Sequence, residues 1–191
     1  MLQIEIFSDV ICPWCFIGKR RLDGVLAGEL GNDVELRWRA FQLYPQLPLD
    51  GVDRGELLKR RYGDAADPAR IPERIASEAE MEGIALRFDR ITRTPNTLLA
   101  HRLLEFAYDQ GGPGLQHALA EALFQGYFCD GVDVGQAAGL VAIAASTGMD
   151  AEAVDAFLNS TEHADTVASQ LARAPELGIS GVPGLFKLHC A

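Results

Sequence analysis

Cysteine is scarce in this chain, four residues in 191, too few for a fold stapled by disulfides. Long apolar runs are missing too. No stretch reaches the ~18 residues that a membrane-spanning helix requires, and the longest candidate, 134–145, is interrupted by Gly135, Gln136 and Gly139. Basic residues are outnumbered, 17 Lys and Arg against 27 Asp and Glu, and the net charge of −10 argues against nucleic acid or an anionic membrane as partner. The local basic clusters, Lys19-Arg20-Arg21 and Arg87, Arg90 and Arg93, are read as solvated faces. No basic, apolar-cored leader precedes Met1-Leu2-Gln3-Ile4-Glu5-Ile6, so a cytoplasmic protein is expected. Internal repeats and low-complexity segments are absent. What is present, 48% hydrophobic residues at a mean hydropathy of +0.04, describes a soluble globular protein with one substantial core.

Two of the four cysteines stand together. Cys12-Pro13-Trp14-Cys15 follows an apolar, strand-like run (Ile4, Ile6, Phe7, Val10, Ile11) and opens a helix-like one. At such a junction the helix start turns backbone N–H groups and a partial positive charge toward the first sulfur, favouring its thiolate. Pro13 suits the first helical position because it has no N–H in need of a partner. A zinc site would call for a second Cys-x-x-Cys or a His pair. Cys129 and Cys190 stand 61 positions apart, and only His189 neighbours either. A four-residue ring also constrains the unfolded chain too little for a structural disulfide to gain much. The pair is therefore read as a redox dithiol, with no metal and no cofactor beyond a Cys12–Cys15 disulfide that opens and closes.

The first helix is expected over Pro13 to Ala27, ending at Gly28. Val34 to Phe41 alternates apolar and polar residues as a half-buried strand does. Strand, helix and strand make a βαβ unit with a right-handed crossover. Beyond Pro45 and Pro48 the texture becomes helical from about Arg54 to Leu177, with Thr94 expected to cap one helix ahead of Pro95 and further helices over 115–128, 134–147, 151–158 and 162–177. Gly181-Val182-Pro183-Gly184-Leu185-Phe186 then returns to turn and strand. A helical block bracketed by strands is an insertion into an α/β domain, giving boundaries at 1–53, 54–177 and 178–191.

Ser8 to Lys19 around Cys12 and Cys15, Arg39-Ala40-Phe41-Gln42-Leu43, Thr94-Pro95-Asn96-Thr97 followed by Ala100-His101-Arg102, and Gly181-Val182-Pro183 together resemble the DsbA-like thioredoxin-fold oxidoreductases of the FrnE subgroup, in the right order. The resemblance runs from Gln3 to about Leu185. It implies a thioredoxin fold with a large all-helical insertion, thiol–disulfide exchange, and a cis-proline loop facing the dithiol. Cys12 would attack and Cys15 resolve. Pro13, Trp14, Val182 and Pro183 would line the substrate site, where an extended chain could add as a strand beside Val182. Set against the family, Gly184 stands where Thr is common after the proline, and the last strand and C-terminal helix are expected to be lacking. The acid that such folds bury six positions before the first cysteine is Ile6 here, with Asp9 and Glu5 as unranked substitutes.

The substrate class expected is a disulfide- or thiol-containing protein or small molecule, with glutathione as a candidate co-substrate. The alternatives are a glutathione-dependent isomerase or transferase of the 2-hydroxychromene-2-carboxylate isomerase and kappa-class type, in which Ser typically replaces the first cysteine, and an inactive truncated member. Phe41 and Gln42 are expected to end a strand near the site, with packing an equal reading for Phe41. Asn96 is expected to cap a helix and fix a loop, His101 to be a satisfied core or surface histidine, and Cys129 a small buried residue.

Overall fold

A computed structural model describes residues 2–28 and 33–188, apart from the side chains of Lys187 and Leu188. Cys190 and His189 lie outside the described residues. The alternating stretch after the N-terminus forms β1 (Leu2–Ser8), and the Cys-Pro-Trp-Cys segment opens α1 (Pro13–Leu26). The next alternating run is β2 (Val34–Ala40), parallel to β1 in the register Leu2↔Val34 through Ser8↔Ala40. Then follow β3 (Val52–Asp53), α2 (Arg54–Tyr62), α3 (Glu73–Met81), β4 (Arg93–Thr94), α4 (Leu98–Gln125), α5 (Ala137–Ser146), α6 (Ala151–Leu158), α7 (Ala164–Glu176) and β5 (Gly184–Leu188). β5 returns antiparallel to β1, pairing Phe7 with Gly184 and Gln3 with Leu188. Among the described residues the main sheet is therefore β2-β1-β5, the α/β arrangement of a thioredoxin fold with helices inserted between its second and third strands. β5 is an edge, with Leu185 63% exposed. No described helix is long and apolar enough to cross a membrane.

The core lies where α1, α4 and the sheet meet. Phe16 stacks on Phe124 with ring centres 5.3 Å apart, and Trp38 of β2 meets Phe124 edge-on at 6.2 Å. Such pairs add about 0.5–1.5 kcal/mol beyond the area they bury. Below the rings, the buried ammonium of Lys19 is held by Asp23 at 2.8 Å and Glu121 at 3.0 Å, tying α1 to α4 with a charge that has no water to rely on.

The inserted helices also complete the sheet. β2 has no strand on its outer side among the described residues, yet its polar backbone there is buried and must be met. Gln116 of α4 accepts from the Trp38 N–H at 2.9 Å and donates to the Trp38 carbonyl at 3.3 Å. Gln170 of α7 accepts from the Ala40 N–H at 2.8 Å. Two buried glutamines thus stand in for a strand and close an edge that would otherwise invite pairing.

One helix start differs from expectation. Thr94 does not cap a helix but pairs with Val52 in the small β3–β4 ribbon. The cap position is Thr97, and Asn96 Oδ1 accepts from the Leu98 N–H at 3.0 Å. Pro95 rigidifies the approach and cannot donate to a ladder, so the ribbon stops there. The helices expected on either side of 111–114 are both present within α4, separated by non-helical backbone at Gly111 (φ −147°, ψ 16°) and Gly112 (φ +68°, ψ −162°), with Pro113 restarting the helix.

Candidate functional site

β1 delivers the chain to the site. Past Ser8 the backbone tightens so that the Cys12 N–H donates to the Asp9 carbonyl at 3.0 Å, and Cys12 becomes the N-cap of α1 at φ −95°, ψ 113°. Pro13 occupies the first turn, and the Cys12 carbonyl accepts from Cys15 N–H at 3.0 Å and Phe16 N–H at 3.3 Å. The first turn holds no acidic residue, so the positive end of the helix is left to the sulfur.

Cys12 and Cys15 are both free thiols and both buried, 4% and 1% exposed. Exposure therefore hardly separates them; hydrogen bonding and position do. The Cys15 thiol donates to the Cys12 sulfur and, against the cost of burial, holds the Cys12 thiol below the usual cysteine range, helped by the backbone N–H groups of Cys15 and Trp14. Burial pushes the Cys15 thiol well above that range, and its bond to Cys12 pushes the same way. One sulfur is prepared as a thiolate and its neighbour kept as a proton donor. Cys129 is half-buried and raised by burial, the opposite of a reactive thiol.

The loop before β5 closes over this pair. The Val182–Pro183 peptide bond is cis, and the Cys12 thiol lies 3.7 Å from the Val182 carbonyl oxygen. Val182 is half-buried against the core, whereas Pro183 is exposed. Gly18, on the second turn of α1, makes this approach possible, because a Cβ there would lie 3.3 Å from Pro183 Cγ. Cys12, Cys15, Pro13, Trp14, Val182 and Pro183 are thus brought together. Trp14 is half-buried and carries the Arg74 guanidinium over its ring at 5.4 Å.

Of the two candidate acids, Asp9 is the one beside the dithiol. It is fully buried; Oδ2 accepts from the Leu43 N–H at 2.7 Å, and Oδ1 has no hydrogen-bond partner. Its negative charge works against the Cys12 thiolate. His101 is the nearest cationic type, with Nε2 3.6 Å from Asp9 Oδ1 and 2.9 Å from the Phe41 carbonyl. A carbonyl only accepts, so Nε2 carries the proton. The sequence alone reads His101 as a satisfied core or surface histidine; the signal that it belongs here is its place one turn into the helix that follows Pro95-Asn96-Thr97. Gln42 donates to Asn96 Oδ1 at 3.0 Å, and Asn96 donates to the Leu47 carbonyl at 2.9 Å, so both fix the loops around the site. Glu5 faces the other way, onto Arg39 and Arg173. Among the described residues no group of three metal-ligating side chains occurs.

A strand-capped dithiol, a helix N-terminus and a cis-proline loop define a thioredoxin-type site. The chain belongs to the DSBA-like thioredoxin domain family, whose model matches residues 3–187, a family generally of oxidoreductases or isomerases. It is similar to a probable DsbA oxidoreductase of Streptomyces coelicolor, with 31% identity and a TM-score of 0.81 over 98% of this chain and 80% of that one. The uncharacterized protein YwbO of Bacillus subtilis is 27% identical across 95% of this chain and 84% of its own length. The cytosolic disulfide reductase DsbM of Pseudomonas aeruginosa, solved with GSH, shares the fold at 19% identity and a TM-score of 0.68, over 98% of this chain and 90% of that one.

Proposed function

We propose that this protein is a cytoplasmic dithiol–disulfide oxidoreductase in which Cys12 attacks and Cys15 resolves. The carrying observation is the asymmetry of the pair: Cys12 caps a helix and accepts a hydrogen bond that lowers its thiol pKa, while Cys15 is buried and raised. The Cys12 thiolate attacks a substrate disulfide, forming a mixed disulfide and releasing one substrate sulfur as a thiol. Cys15 then loses its proton and attacks the Cys12 sulfur, releasing the second thiol and leaving Cys12–Cys15 oxidised. Two electrons pass from dithiol to substrate, and the reverse sequence oxidises a substrate dithiol. The Val182 carbonyl beside Cys12 and the half-buried Trp14 ring suit an extended peptide laid across the site. Glutathione is a candidate co-substrate in the return half-reaction, and no cofactor is called for beyond the disulfide itself. The isomerase or transferase reading has against it the cysteine at position 12 and the second thiol at 15.

Iodoacetamide should label Cys12 ahead of Cys15 and Cys129, at a pH below the usual cysteine range. Cys15→Ser should accumulate a mixed disulfide at Cys12, and Cys12→Ser should reduce exchange to the uncatalysed rate. Equal residual turnover in the two variants would overturn the division of roles.

A further inference from the structure

In a chain of net charge −10, two arginines with no counter-ion among the described residues rest on aromatic rings of the segments that form the site, one on Trp14 and one on Tyr44. Arg74, on α3, lies over the Trp14 ring at 5.4 Å, and Trp14 sits between the two cysteines. Arg61, on α2, lies over the Tyr44 ring at 5.6 Å and donates to the Tyr44 hydroxyl at 2.9 Å. Tyr44 follows Leu43, whose N–H binds Asp9 at the base of the site. Both guanidiniums are exposed, and neither has a carboxylate within 4.0 Å among the described residues. The acids at helical spacing from them are engaged elsewhere: Glu78 of α3 with Arg21, which also takes Glu82 just past the helix, and Asp64 after α2 with Lys59. Stacking on an aromatic face holds a guanidinium in place while leaving its N–H edge free for an incoming anion.

We propose that Arg61 and Arg74 select the substrate of this site, favouring disulfides flanked by carboxylates. This rests on the oxidoreductase reading above and adds the class of substrate. A carboxylate near the scissile sulfurs would meet a fork of N–H donors, which geometry suits to bidentate binding. The remainder of the acidic surface would repel the same substrate, so the preference arises at the site and not from net charge. Two sources carry this chemistry, a small acidic peptide thiol of the glutathione class and an acidic segment of a larger chain.

The test is single-turnover oxidation of the reduced protein by symmetric disulfides of Glu-Cys-Glu, Gln-Cys-Gln and Lys-Cys-Lys, with blocked termini, and by glutathione disulfide. Each rate is divided by that of free dithiothreitol with the same disulfide, which removes differences in intrinsic reactivity. The Glu-flanked disulfide should react about tenfold faster than the Lys-flanked one at low ionic strength, narrowing at high salt. Arg61→Gln/Arg74→Gln should bring that ratio toward one or below. Arg20→Gln/Arg87→Gln, which removes the same charge from guanidiniums already paired to Glu121 and Asp89 and leaves Glu78 and Glu82 with Arg21, should leave it in place. Loss of rate with glutathione disulfide as well assigns the pair to a small peptide thiol; loss with the Glu-flanked peptide alone assigns it to an extended acidic chain. An unchanged ratio in the Arg61/Arg74 variant overturns the proposal while Cys12 still reacts. Failure of Cys12 to react with any of the four overturns the oxidoreductase reading instead.

Discussion

Glu5 and Asp9 are buried carboxylates four residues apart, and the protein treats them in opposite ways. Glu5, in the middle of β1, takes Arg39 Nε at 2.7 Å and Arg173 Nη1 at 2.9 Å. Beside it Arg37 pairs with Glu105, which also accepts from Gln170 at 2.9 Å, and the Arg37 guanidinium lies over Tyr108. Asp9, past the end of the strand, has one backbone N–H, a distant histidine and an oxygen with no partner. The first arrangement is charge-paired and serves to join β1, β2, α4 and α7: Glu5 Oε1 takes hydrogen bonds from both guanidiniums, and Oε2, which accepts none, still lies 2.9 Å from Arg173. The second has no guanidinium on its charge and lies next to the thiol whose protonation would change in the proposed exchange. Two guanidiniums on one buried carboxylate rigidify a fold; a buried carboxylate with no guanidinium marks where chemistry has been given room.

The larger consequence of this contrast falls on stability. Burial opposes ionisation of Glu5, yet the bonds from Arg173 and Arg39 prevail and hold its carboxyl below the usual glutamate range. A carboxyl lowered in the folded state contributes stability that is complete above the unfolded value and is lost as pH falls through the folded one. Glu5→Gln should therefore cost about 1.5–3 kcal/mol at neutral pH, the worth of charge-assisted hydrogen bonds, and should flatten the acid limb of the stability profile below pH 4.5. Urea melts from pH 3 to 7 would read both effects, and iodoacetamide labelling of Cys12 should not move. A variant that labels Cys12 differently at unchanged stability would reverse the two roles.

Asp9→Asn should do the converse. Its amide oxygen can keep the bond from the Leu43 N–H, so stability should change little, but the negative charge that opposes the Cys12 thiolate is gone. The pH midpoint of Cys12 alkylation should move down, with labelling about two- to fivefold faster at a fixed acidic pH, as expected of a single partly screened charge interaction. A midpoint that moves up would mean that Asp9 orders the thiolate's donors more than it repels the charge.

The sequence carries these two carboxylates unequally. β1, α1 and β2 are legible because alternation, a proline and the cysteine spacing are local signals, and the dithiol is four consecutive residues. Ranking Glu5 against Asp9 needs the partners, and Arg173, His101 and Glu105 are brought in by α4 and α7 from far along the chain. The same holds for Gln116 and Gln170, which close the edge of β2. Each sits in an otherwise apolar stripe, Gln116 with Leu119, Ala120 and Leu123, and Gln170 with Val167 and Ala174. A glutamine in such a stripe signals a buried polar partner without saying which one. Thr94 misled because capping residues and short strands draw on the same amino acids when a proline follows.

The smallest effect concerns the contact that brings the proline loop to the dithiol end of the molecule. Gly18→Ala adds a methyl 3.3 Å from Pro183 Cγ, tighter than ordinary van der Waals contact. In the helix interior Ala is favoured over Gly by about 0.5–1 kcal/mol, and a few tenths of an ångström of loop movement would offset part of that gain. The two terms oppose each other, so the net change in stability should stay within about 1 kcal/mol in either direction. The loop, rather than the helix, should give way, because Pro183 is exposed and α1 is held by Phe16, Ile17 and Lys19. The Val182 carbonyl would then withdraw from its 3.7 Å position beside Cys12. Iodoacetamide, which has no use for that carbonyl, should label Gly18→Ala at the unaltered rate, while an extended peptide disulfide that pairs with Val182 should react more slowly. Equal slowing of both reagents would show that the methyl disturbs the helix terminus and the thiolate, and that Gly18 guards the charge end of the site as much as the loop.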